Sequence, residues 1–282
     1  MTKNIKNKYP KIGLALSGGS ALGICHIGVI KALRENKISV DCVSGTSAGA
    51  IAAVCLAFGI PMKKMVDISK KVSWASVSKF GYSKMGINSN KPVGEMIDEI
   101  INGAKIEDAK IPLAIVATDV DTGQKIILKK GNVAEAIMAS TCLPGFFIPV
   151  EIIGRKLVDG GLVENLPVSP LNEMKVDIKI GVNLKHWRKL KKSRNILDVI
   201  ANSYSILTGA QEKFIPGQAD ILIEPHLERF FSSDFEKADE LMEEGYRAAN
   251  LVIPEIKSLI NNKTKQQKGF FRKIIDFFSS RK

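Results

Sequence analysis

VSGTSAGAIAAVCLAFG, residues 43–59, decides how the rest of the chain is read. The run VDCVSGT (40–46) is short and largely apolar, the character of a buried strand. From Ser47 to Phe58 the residues are small and apolar, which reads as a buried helix. Ser47 lies at the junction between Gly45 and Gly49, in a G-x-S-x-G pattern. The two glycines permit a sharp turn and leave room round the hydroxyl. The first amides of the helix point back at Ser47, and the helix dipole favours negative charge there. Two readings fit these residues: a nucleophile on a strand–turn–helix elbow, or a serine capping the helix in a tight turn. A serine nucleophile needs a proton acceptor, and the chain has three histidines, His26, His186 and His226. The uncharged stretch 42–62 is long enough to raise the question of a membrane span. Gly45, Gly49, Gly59 and Pro61 interrupt it, so a buried strand, turn and helix explain it better.

A second strand–glycine–helix succession stands upstream. KIGLALSG (11–18) reads as a buried strand, and Ile27, Ile30 and Leu33 mark a helix from about Gly23 to Asn36. SGGSALG (17–23) joins them. It is not a dinucleotide loop, because Ser20 stands where G-x-G-x-x-G requires its second glycine. The consecutive amides of Gly18, Gly19 and Ser20 form instead a nest suited to an oxyanion. Downstream, KLVDGG (156–161) puts Asp159 at a strand end before Gly160 and Gly161. There it either faces a cleft or begins a plain turn, since Asp-Gly is also a turn signal.

The remaining segments fill in an alternation. IPLAIVATDV (111–120) and KIILKK pair as a hairpin over 113–129, NVAEAIMAS is a helix, and VDIKIGVNL (176–184) and ADILIEPHL (219–227) are buried strands. Helices are expected from Pro61 to Lys71 and over 92–102, 195–213 and most of 234–262, whereas 72–91 lacks a period and reads as a loop beside the site. Strands alternating with helices give an α/β fold, a three-layer α/β/α sandwich around a mostly parallel central sheet. The expected organisation is a basic N-terminal extension (1–10), one domain over 11–260, and a polar linker with a basic amphipathic tail (261–282).

Three motifs in a fixed order carry a family resemblance. GLALSGGSALGICHIGVIKAL (13–33), VSGTSAGAIAAV (43–54) and LVDGGLVENLPV (157–168), with ASTCLPGFFIPV (139–150) between the last two, resemble the patatin-like phospholipase family over about residues 11–226. The resemblance implies a serine acyl hydrolase with a Ser–Asp dyad acting on lipid esters, without metal or cofactor. Ser47 would be the nucleophile and Asp159 the base, with the amides of Gly18, Gly19 and Ser20 as the oxyanion hole. Gly45, Gly49, Gly160 and Gly161 would support the turns. Leu22 departs from the family, which usually carries a basic residue there, and Ser20 replaces a third glycine. Leu22 keeps open a second reading, a lipid-binding protein with a vestigial site. A Ser47–Asp159–His226 triad is the mechanistic alternative, since His226 ends an expected strand and the chain order fits. His26, within the first helix, is read as a packing or capping residue.

Charge points to a surface partner. The net charge is +12. Residues 255–282 hold eight Lys/Arg against two acids, and Lys185–Arg194 (KHWRKLKKSR) holds six against none. In KGFFRKIIDFFSSRK (268–282) the Phe and Ile side chains fall within an arc of about 160° on a helix, the pattern of an interfacial segment on anionic lipid. The partners expected are a lipid substrate and an anionic membrane surface, met through the Phe270–Lys282 tail and the Lys185–Arg194 cluster. The cluster alone also reads as a solvated basic loop. No nucleic-acid recognition motif or aromatic platform accompanies the charge. The four cysteines stand singly among apolar residues, with no metal or redox spacing, as buried thiols of a reducing compartment do. A cytoplasmic protein peripheral to the inner membrane surface is expected.

Overall fold

The computed structural model describes residues 9–184, 192–215 and 217–279, with backbone alone for Tyr82, Glu212 and 269–279. In chain order the strands are β1 (Ile12–Leu16), β2 (Cys42–Thr46), β3 (Lys79–Ser83), β4 (Gly86–Ser89), β5 (Leu113–Asp119), β6 (Lys125–Leu128), β7 (Gly145–Phe147), β8 (Val150–Ile152), β9 (Arg155–Asp159), β10 (Ile178–Val182) and β11 (Ile221–Ile223). The helices are α1 (Cys25–Glu35), α2 (Ala48–Ala57), α3 (Met62–Lys71), α4 (Trp74–Val77), α5 (Lys91–Ile101), α6 (Val133–Ser140), α7 (Ser169–Glu173), α8 (Ile196–Ala210) and α9 (Ala238–Ser279).

The central sheet runs in the order β11-β10-β1-β2-β5-β9-β8, with β6 also paired to β5. The five strands from β11 to β5 are parallel; β6, β8 and β9 enter antiparallel. Parallel strands are buried on both faces, and β1 and β2 accordingly carry no exposed residue. The expected mostly parallel α/β sandwich is therefore present, with layers of unequal depth. On one face Leu14 and Leu16 join a large core with residues of α1, α2, α3, α5, α6 and α9. On the other, Ala15 packs on Leu166, Val168 and Leu171 from α7 and the segment before it.

Three expectations change. The segment 72–91 is not a featureless loop: it forms α4 and the β3–β4 hairpin, which joins β7 in a separate three-stranded sheet. Its strands are too short and too exposed to show a hydrophobic period. The polar stretch 261–269, expected as a linker, lies inside α9, which runs without a break from Ala238 to Ser279. Lys, Gln and Thr are all tolerated in helices, and nothing between Pro254 and Gly269 breaks one. The strand expected over 219–227 is cut to β11, so His226 lies three residues beyond its end. Among the described residues no helix is long and apolar enough to cross a membrane. Residues 185–191 of the basic cluster and the side chains of the Phe270–Lys282 tail lie outside what is described.

Candidate active site

Sheet register brings the expected residues together before any side chain is considered. Thr46 at the end of β2 lies level with Val116 of β5, and Ala117, the next residue, lies level with Asp159 of β9. Ser47 and Asp159 thus stand in one row, with β5 between them and about 10 Å of backbone separation, which two side chains span. The Asp159 backbone is fixed on both sides: its amide donates to Cys142 O at 2.8 Å, and its carbonyl accepts from Thr118 Oγ1 at 2.9 Å.

Ser47 occupies a tight turn with φ 54° and ψ −126°, a region that L-residues rarely adopt. Surrounding bonds hold it there. Its amide donates to Ser140 Oγ at 2.9 Å, and that hydroxyl donates in turn to Val116 O at 2.7 Å. The flanking glycines are required by contact. A Cβ on Gly45 would lie 2.5 Å from Ala50 Cα, and one on Gly49 would lie 2.2 Å from Leu16 O. Ser47 makes no capping bond to its own helix, so the N-cap reading of the sequence fails.

Asp159 is 3% exposed. Its Oδ1 accepts from Gly161 N at 2.8 Å and from the Tyr204 hydroxyl at 2.8 Å. Burial pushes its pKa from 3.8 up to about 6, against the opposing pull of the Ser47 hydroxyl, the Gly161 amide and Tyr204. The DGG glycines are also set by contact: Gly160 backs onto Val116 O, and the Tyr204 hydroxyl fills the space a side chain at Gly161 would take.

The turn between β1 and α1 is pinned against this pair. Ser17 N donates to Val182 O, Leu184 N donates to Ser17 Oγ, and His26 Nε2 donates to Ser17 O at 2.8 Å. His26 is wholly buried and its pKa falls to about 4, so it is a neutral packing group with Nδ1 unpartnered among the described residues. Of the three amides expected to bind an oxyanion, that of Gly18 already donates to Asn165 O at 3.2 Å. The amides of Gly19, Ser20 and Ala48 have no acceptor among the described residues. Leu22 is buried in the core beneath the turn, where a cation would be costly.

Ser47, Asp159, Gly19 and Ser20 line one cavity of about 240 Å³. Its walls are chiefly apolar and extend along α1, α2 and α3 through Ile27, Ile30, Ile51, Cys55, Met65 and Ile68. Trp74 and Val77 of α4 also line it, so the segment after α3 does border the site. His226 does not: it is exposed, and β11 is the sheet's edge strand, three places from β2. The triad alternative therefore fails. His186 lies outside the described residues. The sequence reading missed Tyr204 and Ser140. Tyr204 stands in no recognisable motif, and Ser140 lies in the ASTCLPGFFIPV segment without any sign there of its bond to Ser47; each reaches the site only through the packing of α8 or α6.

A sequence model of the patatin-like phospholipase family matches residues 14–172, from the first turn through the Asp159 segment. The chain belongs to the patatin-like phospholipase family. It is 33% identical over 178 residues to an uncharacterised NTE family protein of Mycobacterium tuberculosis, covering 62% of this chain and 49% of that protein. It is 26% identical over 270 residues to lysophospholipase NTE1 of Pyricularia oryzae, covering 84% of this chain and 18% of that one. The chain thus spans about half the length, or less, of these curated relatives. VipD from Legionella pneumophila shares the fold, with a TM-score of 0.53 at 16% identity, over 88% of this chain and 67% of that one.

Proposed function

We propose that this chain is a serine acyl hydrolase that cleaves a fatty-acyl ester of a phospholipid or lysophospholipid through a Ser47–Asp159 dyad. One observation carries the reading: a strained serine and a buried carboxylate face each other at an apolar cavity, beside amides that have no acceptor among the described residues. Ser47 Oγ attacks the ester carbonyl while its proton passes to Asp159. The amides of Gly19 and Ser20, with that of Ala48, receive the developing oxyanion; such donors are typically worth about 3 kcal/mol each. The tetrahedral intermediate expels the alcohol, which takes the proton from Asp159. Water then attacks the acyl-Ser47 ester, losing its proton to Asp159; the second tetrahedral intermediate breaks its bond to Ser47 Oγ, which takes that proton back, and the fatty acid leaves. The acyl chain lies along the apolar wall. No step calls for a metal or cofactor, and an anionic membrane surface supplies the substrate.

Labelling with a fluorophosphonate probe tests the assignment. The native chain should label and Ser47→Ala should not; equal labelling of both sinks the proposal. Fatty acid release from lysophosphatidylcholine and phosphatidylcholine, with Ser47→Ala as control, reads the substrate class.

A further inference from the structure

Helix α8 reverses the usual arrangement of a surface helix. Ile196, Val199, Ile206 and Leu207 are exposed, Ile196 by 71% and Ile206 by 60%. At 100° per residue these four fall, with Ser203 and Ala210, in one arc of about 100°. Tyr204, Ala201 and Ser205, elsewhere on the helix, line the cavity, and Tyr204 binds Asp159. One helix therefore touches the candidate dyad on one side and turns an apolar stripe outward on another.

The stripe continues onto neighbouring elements. Ile200 of α8 packs on Gly145 of β7, which pairs with Gly86 of β4. On the β3–β4 hairpin Phe80, Met85 and Ile87 are exposed as well. The hairpin follows directly from α4, which also lines the cavity. Exposed Lys79 and Lys84 lie on the hairpin, and exposed Lys192, Arg194 and Lys213 flank α8. Residues 73–90 contain no acid. An apolar stripe among cations beside a mostly apolar cavity matches the chemistry of an anionic bilayer surface. A symmetric contact with a second copy would set these cations against their like.

We infer that the outward face of α8 and the β3–β4 hairpin form a docking surface for an anionic lipid bilayer, which brings the cavity mouth to the lipid–water boundary. The nature of the partner rests on the lipid-ester reading above, so the test is made without turnover. The full chain is prepared with Ser47→Ala, and an NBD fluorophore is attached at Ile206→Cys, at Phe80→Cys or, as a control ahead of the N-terminal end of β5 and against the far end of α2 from Ser47, at the exposed Lys110→Cys. The four native cysteines are buried, and because Cys55 lines the cavity, the Ser47→Ala chain with no added cysteine serves as the labelling blank. Vesicles of phosphatidylcholine with phosphatidylglycerol should blue-shift the label at 206 and 80 and leave it unchanged at 110. Pure phosphatidylcholine vesicles should bind at least about tenfold more weakly.

In the otherwise native chain, Val199→Asp with Ile206→Asp should weaken vesicle binding at least about tenfold and leave hydrolysis of a soluble short-chain ester within about twofold. Silence at 206 on both vesicles, or an equal response at all three positions, overturns the inference. So does a blue shift at 206 that grows with protein concentration in the absence of vesicles, which would make a second copy the occupant. Insertion at 206 and 80 in a chain whose native form hydrolyses no ester would uphold the docking surface and overturn the reaction instead.

Discussion

Ser20 and Ser47 hold the same φ of 54°, each in a tight turn between a parallel strand and a helix. They are put to opposite use. Ser47 aims its hydroxyl at Asp159 while its amide is tied to Ser140. The Ser20 amide has no acceptor among the described residues, and its side chain has no part in the proposed reaction. The two turns also touch: Gly49 backs onto the Leu16 and Ser17 carbonyls, and Gly23 onto Ala48. The same strand–turn–helix element thus presents a side chain in one place and backbone donors in the other. What differs is which group the neighbouring elements have already occupied: Ser140, at the end of α6, takes the Ser47 amide.

The comparison is tested most severely at the hydroxyl's partner. Asp159→Asn should lower turnover by about 10³–10⁴-fold, because the base is lost while the fold remains. Stability should move the other way. The folded-state pKa of about 6 lies above the ordinary 3.8, so the native protein holds this proton more tightly than the unfolded chain. The stability this gives is present below about pH 4 and is lost as pH rises through 6, a cost of about 2–3 kcal/mol at neutral pH. Chemical denaturation at pH 8 should therefore find the variant more stable by that order, and at pH 3.5 no different. Equal stability at both pH values would mean that the carboxylate is not desolvated as described. In the native chain, the proposed hydrolysis should fall as pH drops through about 6.

Contact between the turns is tested next. Gly49→Ala would place a Cβ 2.2 Å from a backbone carbonyl of the other turn, and should cost about 3 kcal/mol in denaturant titration along with most activity. Tyr204→Phe removes a hydrogen bond that favours the charged form of Asp159. The acidic limb of the pH–rate profile should shift upward, with a loss of severalfold near pH 6 and little at pH 8. A uniform loss at all pH values would assign Tyr204 a packing role alone.

The smallest effect is expected at Ser20. Ser20→Gly keeps the amide and relieves a left-handed backbone, offset by glycine's larger unfolded-state entropy. Turnover should stay within about threefold and stability within about 1 kcal/mol. A large loss of turnover would give the Ser20 side chain a role and end the contrast with Ser47.

Much of this arrangement was legible in the chain because it is local. The apolar runs of β1, β2, β5 and β10 announce buried parallel strands, and G-x-S-x-G between a strand and an apolar helix needs only adjacent residues. Asp159 was reached through the resemblance of a third motif to a family, since no pattern within KLVDGG distinguishes a base from a turn. The β3–β4 hairpin left no trace because its short, exposed strands have no buried face to impose a period. The amide of Gly18 was miscounted as a free donor because its acceptor, Asn165 O, lies far along the chain.

By itself, then, the sequence determined the strand–turn–helix elements, the α/β class and the serine at the elbow, all consequences of side-chain periodicity and glycine's lack of a Cβ. Tertiary structure alone decided which groups meet. The register of β2, β5 and β9 sets Asp159 opposite Ser47, burial raises its pKa, α8 brings Tyr204 against it, and β11 at the sheet's edge leaves His226 outside. These depend on strand order and packing between distant segments, which no local pattern in the chain encodes.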